Sequence, residues 1–71
     1  MIKIMLIFGL AKWEKGNKRY RCCREYNGKT TIYSLYVRNT TTYKTKPRIR
    51  SESLAAVNKW LSKTEVEIVG D

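Results

Sequence analysis

The chain of 71 residues is long enough for one small domain, and too short for two domains or for a large nucleotide-binding fold. A domain near this size buries only about 60% of its extended surface, which leaves little room for an enclosed active site. Fifteen Lys and Arg against six Asp and Glu give a formal charge of +9, which is typical of a domain that binds polyanions. We expect a single small basic domain over residues 1–71.

The basic residues are concentrated in the middle of the chain. Residues 12–50 contain twelve Lys and Arg and two acids, Glu14 and Glu25, whereas residues 51–71 contain two lysines and four acids. The alternative, a charge that serves only solubility, would give no reason for this segregation. The middle of the chain is therefore predicted to form a cationic surface.

The N-terminal residues 1–10 are mostly apolar. The run from Ile4 to Leu10, interrupted only by Gly9, is much shorter than the roughly 20 residues of a membrane span, and no small-residue cleavage site follows it. We therefore expect no membrane partner and a buried strand with a bulge or bend at Gly9. The same strand could join two copies into a dimer by edge pairing, although the sequence does not determine the oligomeric state.

Two hairpins are predicted next, and they agree on one apolar face. A Gly16-Asn17 turn pairs Trp13 with Tyr20. An Asn27-Gly28 type I′ turn, the strongest short hairpin signal, is expected to set the second register. The apolar face then pairs Ala11 with Cys22, Cys22 with Tyr33, Tyr20 with Leu35 and Lys18 with Val37, and the opposite face pairs Glu14 with Arg19, Arg21 with Ser34, Arg19 with Tyr36 and Cys23 with Ile32.

Residues 41–46 are predicted to form a fourth strand after a turn at Asn39-Thr40. Pairing across this turn would place Tyr43 opposite Tyr36. The strand is expected to end at Pro47, which lacks an N–H donor, and to be followed by a short basic loop.

The C-terminal part is predicted to contain one helix and one short strand. Ser51 is a suitable N-cap for an amphipathic helix over residues 51–63, which should pack on the apolar face of the sheet. Residues 64–70 alternate and could pair with the N-terminal strand. The predicted fold class is α+β, a small antiparallel β-sheet of three to five strands packed on one C-terminal α-helix.

The residue content does not favour an enzyme. The chain has no histidine, so a general base near neutral pH would have to be a perturbed carboxylate, lysine or thiolate. A nuclease that uses Glu25 with Lys or Arg is the alternative. Cys22 and Cys23 are adjacent and point to opposite faces of a strand, so we expect free thiols, neither metal nor cofactor, and a reducing cytoplasm, that of the host if the chain is phage-encoded.

Nucleic-acid binding fits the cationic face better. Guanidinium groups there would contact phosphates or guanine edges, and tyrosine rings could stack on unpaired bases. The alternatives are a cross-strand tyrosine pair that only stabilises the sheet and an ordinary solvated strand face. The predicted nucleic-acid-binding residues are Arg19, Arg21, Tyr36, Arg38 and Tyr43 on the sheet, with Lys44, Lys46, Arg48 and Arg50 as backbone clamps at one end.

The order of elements also resembles a known family. Tyr20-Arg21, then Tyr26-Asn27-Gly28-Lys29, a third strand and the Ser51-led helix resemble the three-stranded-sheet-plus-helix domains of phage integrase arm-type and AP2-like DNA binders, over residues 13–62. The resemblance implies a sheet that enters the major groove with a helix behind it. It also implies sheet-borne contacts from Arg19, Arg21, Tyr36 and Arg38. The apolar N-terminal strand, the Glu-rich final strand and the long segment 39–50 depart from that pattern.

Two functions therefore stand as predictions. The first is a non-enzymatic, regulatory nucleic-acid-binding protein, phage or bacterial, acting on DNA or RNA, duplex or single-stranded. The second is a small phage-type modulator or inhibitor that binds an acidic surface of a host protein or ribonucleoprotein. A binding affinity that falls steeply with salt would favour the first.

Overall fold

The computed structural model describes residues 1–70, which form two sheets and one short helix. The elements in chain order are β1 (Ile2–Met5), β2 (Leu10–Lys15), β3 (Lys18–Tyr26), β4 (Thr31–Asn39), β5 (Thr45–Ser51), α1 (Leu54–Leu61), a 3-10 turn (Ser62–Thr64) and β6 (Val66–Val69). The larger sheet is antiparallel with the order β2-β3-β4-β5, and β1 pairs with β6 in a smaller parallel sheet. The predicted α+β class, an antiparallel sheet with one C-terminal helix, is confirmed.

The first hairpin has the predicted register. β2 and β3 pair with Trp13 opposite Tyr20, Ala11 opposite Cys22 and Glu14 opposite Arg19. The rings of Trp13 and Tyr20 stack with centroids 5.1 Å apart and planes 3° apart. The apolar face predicted for this hairpin is therefore formed.

The second hairpin turns one residue later than predicted. A type I′ turn at Asn27-Gly28 needs positive φ at both residues, and of the two Gly28 alone has it, at +92°. The side-chain Oδ1 of Asn27 instead accepts the backbone N–H groups of Lys29 and Thr30, each at 2.9 Å. The backbone N–H of Asn27 donates to the carbonyl of Thr30 at 3.1 Å, so the turn is centred on Gly28 and Lys29.

This later turn shifts the pairing of β3 and β4 by two residues. Cys22 lies opposite Leu35 instead of Tyr33, and Arg21 lies opposite Tyr36 instead of Ser34. Side chains alternate between the two faces of a strand, so a shift of two residues leaves each side chain on its predicted face. The cross-strand partners were therefore wrong, and the division into two faces was right.

The fourth strand of the large sheet differs from the prediction in position and length. β5 runs through Pro47, where a stop was predicted, and includes the residues predicted as a basic loop. β5 is an edge strand, and a register irregularity between Leu35 and Tyr36 accommodates the proline without breaking an inner ladder. Tyr36 lies opposite Pro47, whereas Tyr43 belongs to the preceding loop.

The helix is shorter than predicted at both ends. Ser51 is the last residue of β5, so it cannot cap the helix, and Ser53 occupies the N-cap position. The Oγ of Ser51 accepts the N–H of Ser53 at 3.1 Å, which orders the connection. After Leu61 the chain tightens into the 3-10 turn instead of continuing the helix to residue 63.

The helix covers the predicted apolar face of the large sheet. Val57 and Leu61 are fully buried on the inner side of α1. Trp60 and Trp13 are partly buried at the border of the core. The buried apolar side chains form one cluster of Leu6, Ala11, Tyr20, Cys22, Leu35, Val37, Val57, Leu61, Val66 and Ile68.

The prediction of a buried N-terminal strand is wrong. β1 exposes most of its side chains, and Leu6 just beyond it is the fully buried residue of this segment. The chain then reverses at Phe8 and Gly9, which both have positive φ (51° and 75°), and the backbones of Ile7 and Leu10 exchange hydrogen bonds of 2.9 and 3.1 Å. The bend expected at Gly9 is therefore present, as a tight turn between Ile7 and Leu10.

The final segment pairs with the N-terminal strand as predicted. β6 runs parallel to β1, with Ile2 beside Val66 and Ile4 beside Ile68. The other edge of β6 is closed by the side chain of Asn58, which donates to the carbonyl of Ile68 at 3.0 Å and accepts its N–H at 2.7 Å. The small sheet is thereby fixed to α1.

Candidate nucleic-acid interface

The face of the large sheet opposite α1, here called the open face, carries a shallow basic cleft. Strands β2 to β5 all contribute to it, and its volume is about 430 Å³. Trp13 and Tyr20 border the cleft although their rings stack on the helix-covered face. The lining residues are Lys12, Trp13, Glu14, Arg19, Tyr20, Arg21, Tyr36, Arg38 and Thr45.

Strand alternation explains why the cations meet in this cleft. Arg19 and Arg21 are two residues apart on β3, and Tyr36 and Arg38 are two residues apart on β4, so all four point to the same face. The three arginines are exposed and Tyr36 is half-buried. The structure therefore brings together four of the residues predicted from the sequence.

Like charges lie directly opposite each other across two of the three strand boundaries of the cleft. Arg19 faces Arg38 across β3 and β4, and Lys12 faces Arg21 across β2 and β3. Like charges at directly opposed positions destabilise a sheet, by up to about 1 kcal/mol each relative to neutral pairs. The fold therefore keeps a charge arrangement that an anion bound in the cleft would relieve.

Two tyrosine rings accompany these arginines. The guanidinium carbon of Arg21 lies 4.9 Å from the ring centroid of Tyr36, and that of Arg38 lies 5.3 Å from the ring centroid of Tyr43. Tyr43 is exposed in the β4–β5 loop with a φ of 59°, so it reaches Arg38 from the loop and not from a strand. Each ring has one side occupied by a guanidinium, which orients the arginine without neutralising it.

Glu14 is the acidic side chain among the described lining residues. Its Oε1 accepts a hydrogen bond from Nε of Arg19 at 2.7 Å, in an ion pair whose side chains are both more than half exposed. The terminal nitrogens of the Arg19 guanidinium are left for other acceptors. Glu14 therefore orients Arg19 and lowers the positive charge of the cleft by one.

Lys12 lines the cleft and was not predicted as a site residue. It could have been found, because the predicted β2–β3 register already places it opposite Arg21. Thr45 lies opposite Arg38 on β5 and also lines the cleft.

The predicted backbone clamps do not all join this cleft. Arg50 lies opposite Ser34, a register position on the open face, but it is not among the lining residues. Lys44, Lys46 and Arg48 lie on the other side of the sheet edge, the side of Val37. There they line a basic hollow of about 260 Å³, together with Lys18, Val37, Asn39 and Thr42.

The described residues hold neither a cluster of metal ligands nor a membrane-spanning helix. Across residues 1–70, no group of three or more His, Cys, Asp or Glu side chains is arranged to hold a metal ion. In the same range, α1 is the longest helix, and it is too short to span a bilayer. Burial, with a smaller contribution from Cys23, raises the pKa of the Cys22 thiol to about 11, and this thiol points into the core.

Comparison with known protein families, with curated proteins and with solved structures finds no match for this chain. The likeness to integrase arm-type and AP2-like domains stays a prediction. The charge and geometry of the open face are the basis for assigning a function.

Proposed function

We propose that this protein binds nucleic acid through the basic cleft on the open face of its sheet. The observation that carries the proposal is that two like-charged pairs, Arg19 opposite Arg38 and Lys12 opposite Arg21, occupy directly opposed positions in one exposed cleft. A phosphate backbone supplies a row of negative charges that would turn these repulsions into favourable contacts. A small anion would relieve one such pair, whereas a polyanion would relieve both at once.

The geometry favours phosphate contacts over base stacking. The rings of Tyr36 and Tyr43 each have a guanidinium against one face, at 4.9 and 5.3 Å, so neither presents two free faces to a base. Arginines held against rings in this way present their N–H groups to phosphate oxygens. We therefore propose duplex nucleic acid as the preferred ligand, held mainly by its backbone.

The proposed role is regulatory and cytoplasmic, without catalysis. Glu14, the acid among the described cleft residues, forms an ion pair with Arg19. The proposed function does not require Glu14 to transfer a proton. Binding a duplex through its backbone would let the protein occupy or bend a site, with the helix-covered face turned outward. The second candidate, a modulator that binds an acidic protein surface, would use the same cations.

A salt-resolved titration tests the proposal. A labelled mixed-sequence DNA duplex, a DNA single strand and a structured RNA are titrated with the protein at several salt concentrations. For the duplex we expect a dissociation constant of about 1 μM or tighter at low salt. The association constant should fall as salt is added, with a log–log slope of about −0.9 per phosphate contacted. The Arg19→Ala, Arg21→Ala double variant should flatten that slope by about 1.8.

A matched control distinguishes the contribution of the cleft to binding from that of the net charge of the protein. The Lys29→Ala, Lys59→Ala double variant also removes two positive charges, at the β3–β4 turn and on the exposed side of α1. It should leave the slope nearly unchanged. No binding by the wild-type protein at low salt, or equal slopes for the two double variants, would refute the proposed site.

A further inference from the structure

Three of the four sheet edges in residues 1–70 carry features that discourage pairing with another strand. β2 carries Lys12, Glu14 and Lys15, and the ammonium group of Lys15 donates to the carbonyl of Thr64 at 2.9 Å. β5 has a proline and three cations, and β6 is closed by Asn58. Charges, prolines and covering side chains are the usual means by which edge strands avoid association.

The outer edge of β1 has fewer of these features, with one charged residue and no proline. The N–H of Ile2 donates to the carbonyl of Glu65, just before β6, at 2.9 Å, and that of Leu6 donates to the carbonyl of Val69 at 3.0 Å. By strand alternation, the N–H groups of Lys3 and Met5 point away from β6. Within residues 1–70, β6 is the only strand that pairs with β1. Lys3 is the one charged residue of this strand, so the edge offers a short row of donors and acceptors to another chain.

The same end of the molecule holds most of its exposed apolar groups. Six of the eight large apolar side chains exposed in residues 1–70 belong to the first ten residues: Met1, Ile2, Met5, Ile7, Phe8 and Leu10. Phe8, at the tip of its turn, is 99% exposed. A concentration of exposed apolar groups in one segment is a feature of interaction sites.

We propose that two copies of this chain associate through the outer edges of β1, in an antiparallel pair with the twofold axis at Ile4. The residues whose backbone groups point outward must face each other in such a pair. Lys3 of one copy therefore lies opposite Met5 of the other, and each such pair exchanges two backbone hydrogen bonds. Ile7 and Phe8 of one copy then approach the exposed Met1 and Ile2 of the second.

The other registers that satisfy the backbone are excluded by neighbouring groups. A shift toward the N-terminus would place Lys3 opposite Lys3 of the second copy, which is unfavourable. A shift toward the C-terminus would need the N–H of Ile7, which already donates to the carbonyl of Leu10 at 2.9 Å. The register centred on Ile4 avoids both problems.

Local charge favours a second copy as the occupant. Lys3 lies beside Glu67 in the parallel register, and Glu65 is exposed just before β6, so this end is close to neutral although the chain carries +9. An acidic partner would be attracted to the open face instead. A lipid surface would leave the outward N–H and carbonyl groups of β1 without partners, which is costly in hydrocarbon.

Sedimentation velocity at rising protein concentration tests the dimer. A four-residue strand gives a small interface, so we expect a dissociation constant on the order of 10 to 100 μM, with the mass rising from 8.4 kDa toward twice that value. Met5→Lys places a cation opposite Lys3 of the second copy and should abolish the dimer. Met5→Glu places an anion there and should keep or strengthen it at low salt.

Hydrogen exchange supplies a second readout for the same variants. The amides of Lys3 and Met5 should exchange more slowly at high concentration in the wild type and in Met5→Glu, and not in Met5→Lys. Met5 is 58% exposed, so both variants should fold, which thermal unfolding of dilute samples would verify. A wild-type chain that stays monomeric at about 1 mM would overturn the proposal. Equal weakening by both variants, or binding to neutral phospholipid vesicles without self-association, would also overturn it.

Discussion

Lys12 and Arg21 lie directly opposite each other on β2 and β3, and Arg21 in turn lies against the ring of Tyr36 on β4. This row crosses three strands at the centre of the cleft with two positive charges and no acid. A sheet selected only for stability would place an acid or a hydroxyl opposite Arg21. The row therefore supports the proposal that the cleft binds an anion.

Replacing Lys12 should separate stability from binding. Lys12→Gln removes the repulsion with Arg21, so the free energy of unfolding should rise by about 0.2–1 kcal/mol at low salt, and the gain should disappear at high salt. The same variant should weaken duplex binding and flatten its salt slope by about 0.9. Urea unfolding and a binding titration measure the two effects. If Lys12→Gln is less stable than the wild type at low salt, the repulsion between Lys12 and Arg21 does not destabilise the sheet, and the prediction is wrong.

Removing the acid of the cleft should strengthen binding. Glu14→Gln releases Arg19 from its 2.7 Å ion pair, so the salt slope should steepen by up to about 0.9 and the affinity should rise several-fold at low salt. Both side chains are more than half exposed, so the stability should change by less than about 1 kcal/mol. Glu25→Gln on β3 makes the same charge change outside the cleft and serves as the control. Equal gains in the two variants would show that net charge alone sets affinity.

The two-face arrangement of the sheet could be predicted from the sequence because alternation tolerates some errors of register. The Gly16-Asn17 turn was predicted correctly. The Asn27-Gly28 turn was not predicted correctly. The side chain of Asn27 accepts hydrogen bonds from two backbone N–H groups, and these bonds favour a different turn from type I′. The shift was even, so Arg19, Arg21, Tyr36 and Arg38 still share one face.

Other errors arose where tertiary structure overrides a local signal. Pro47 was read as a strand stop, but it sits at an irregularity of an edge strand, where its missing donor costs little. With β5 in its observed position, Lys44, Lys46 and Arg48, which were predicted as backbone clamps, line the basic hollow and not the cleft. The apolar run at the N-terminus was read as buried, because hydropathy alone does not show that the chain reverses at Phe8 and leaves most of these side chains exposed.

The buried thiol should make stability depend on alkaline pH. Burial, with a smaller contribution from Cys23, raises the pKa of Cys22 from its ordinary value of 9.0 to about 11. The folded chain therefore keeps this proton up to about pH 11, while the unfolded chain releases it near pH 9. The stability that the buried, neutral Cys22 thiol contributes is therefore fully present below pH 9 and is lost as pH rises from 9 to 11.

Urea unfolding of the wild type and of Cys22→Ala across this pH range measures the effect. The difference in unfolding free energy between the two proteins should shrink as pH rises, because the variant lacks the titrating group. At pH 8, thiol reagents should modify the half-buried Cys23 well before the fully buried Cys22. A difference that stays constant from pH 8 to 11 would contradict the raised pKa.

The side chain of Asn58 should be a large contributor to stability. It makes two hydrogen bonds, of 3.0 and 2.7 Å, to the backbone of Ile68, and Asn58→Ala would leave both backbone groups unpaired in a partly buried site. We expect a loss of about 2 kcal/mol and a melting temperature lower by roughly 10 °C. Lys59→Ala, one residue along the same helix, should change stability by less than about 0.5 kcal/mol. Equal melting temperatures for the two variants would show that the β6 edge does not need this side chain.

The location of the ligand is the central claim, and NMR chemical-shift mapping tests it most directly. Backbone amide and arginine side-chain signals are followed while a short DNA duplex is added at low salt. Binding in the basic cleft predicts the largest changes at Lys12, Arg19, Arg21, Arg38 and Thr45. Changes concentrated instead on α1, or on Lys18, Lys44, Lys46 and Arg48 in the basic hollow, would contradict it.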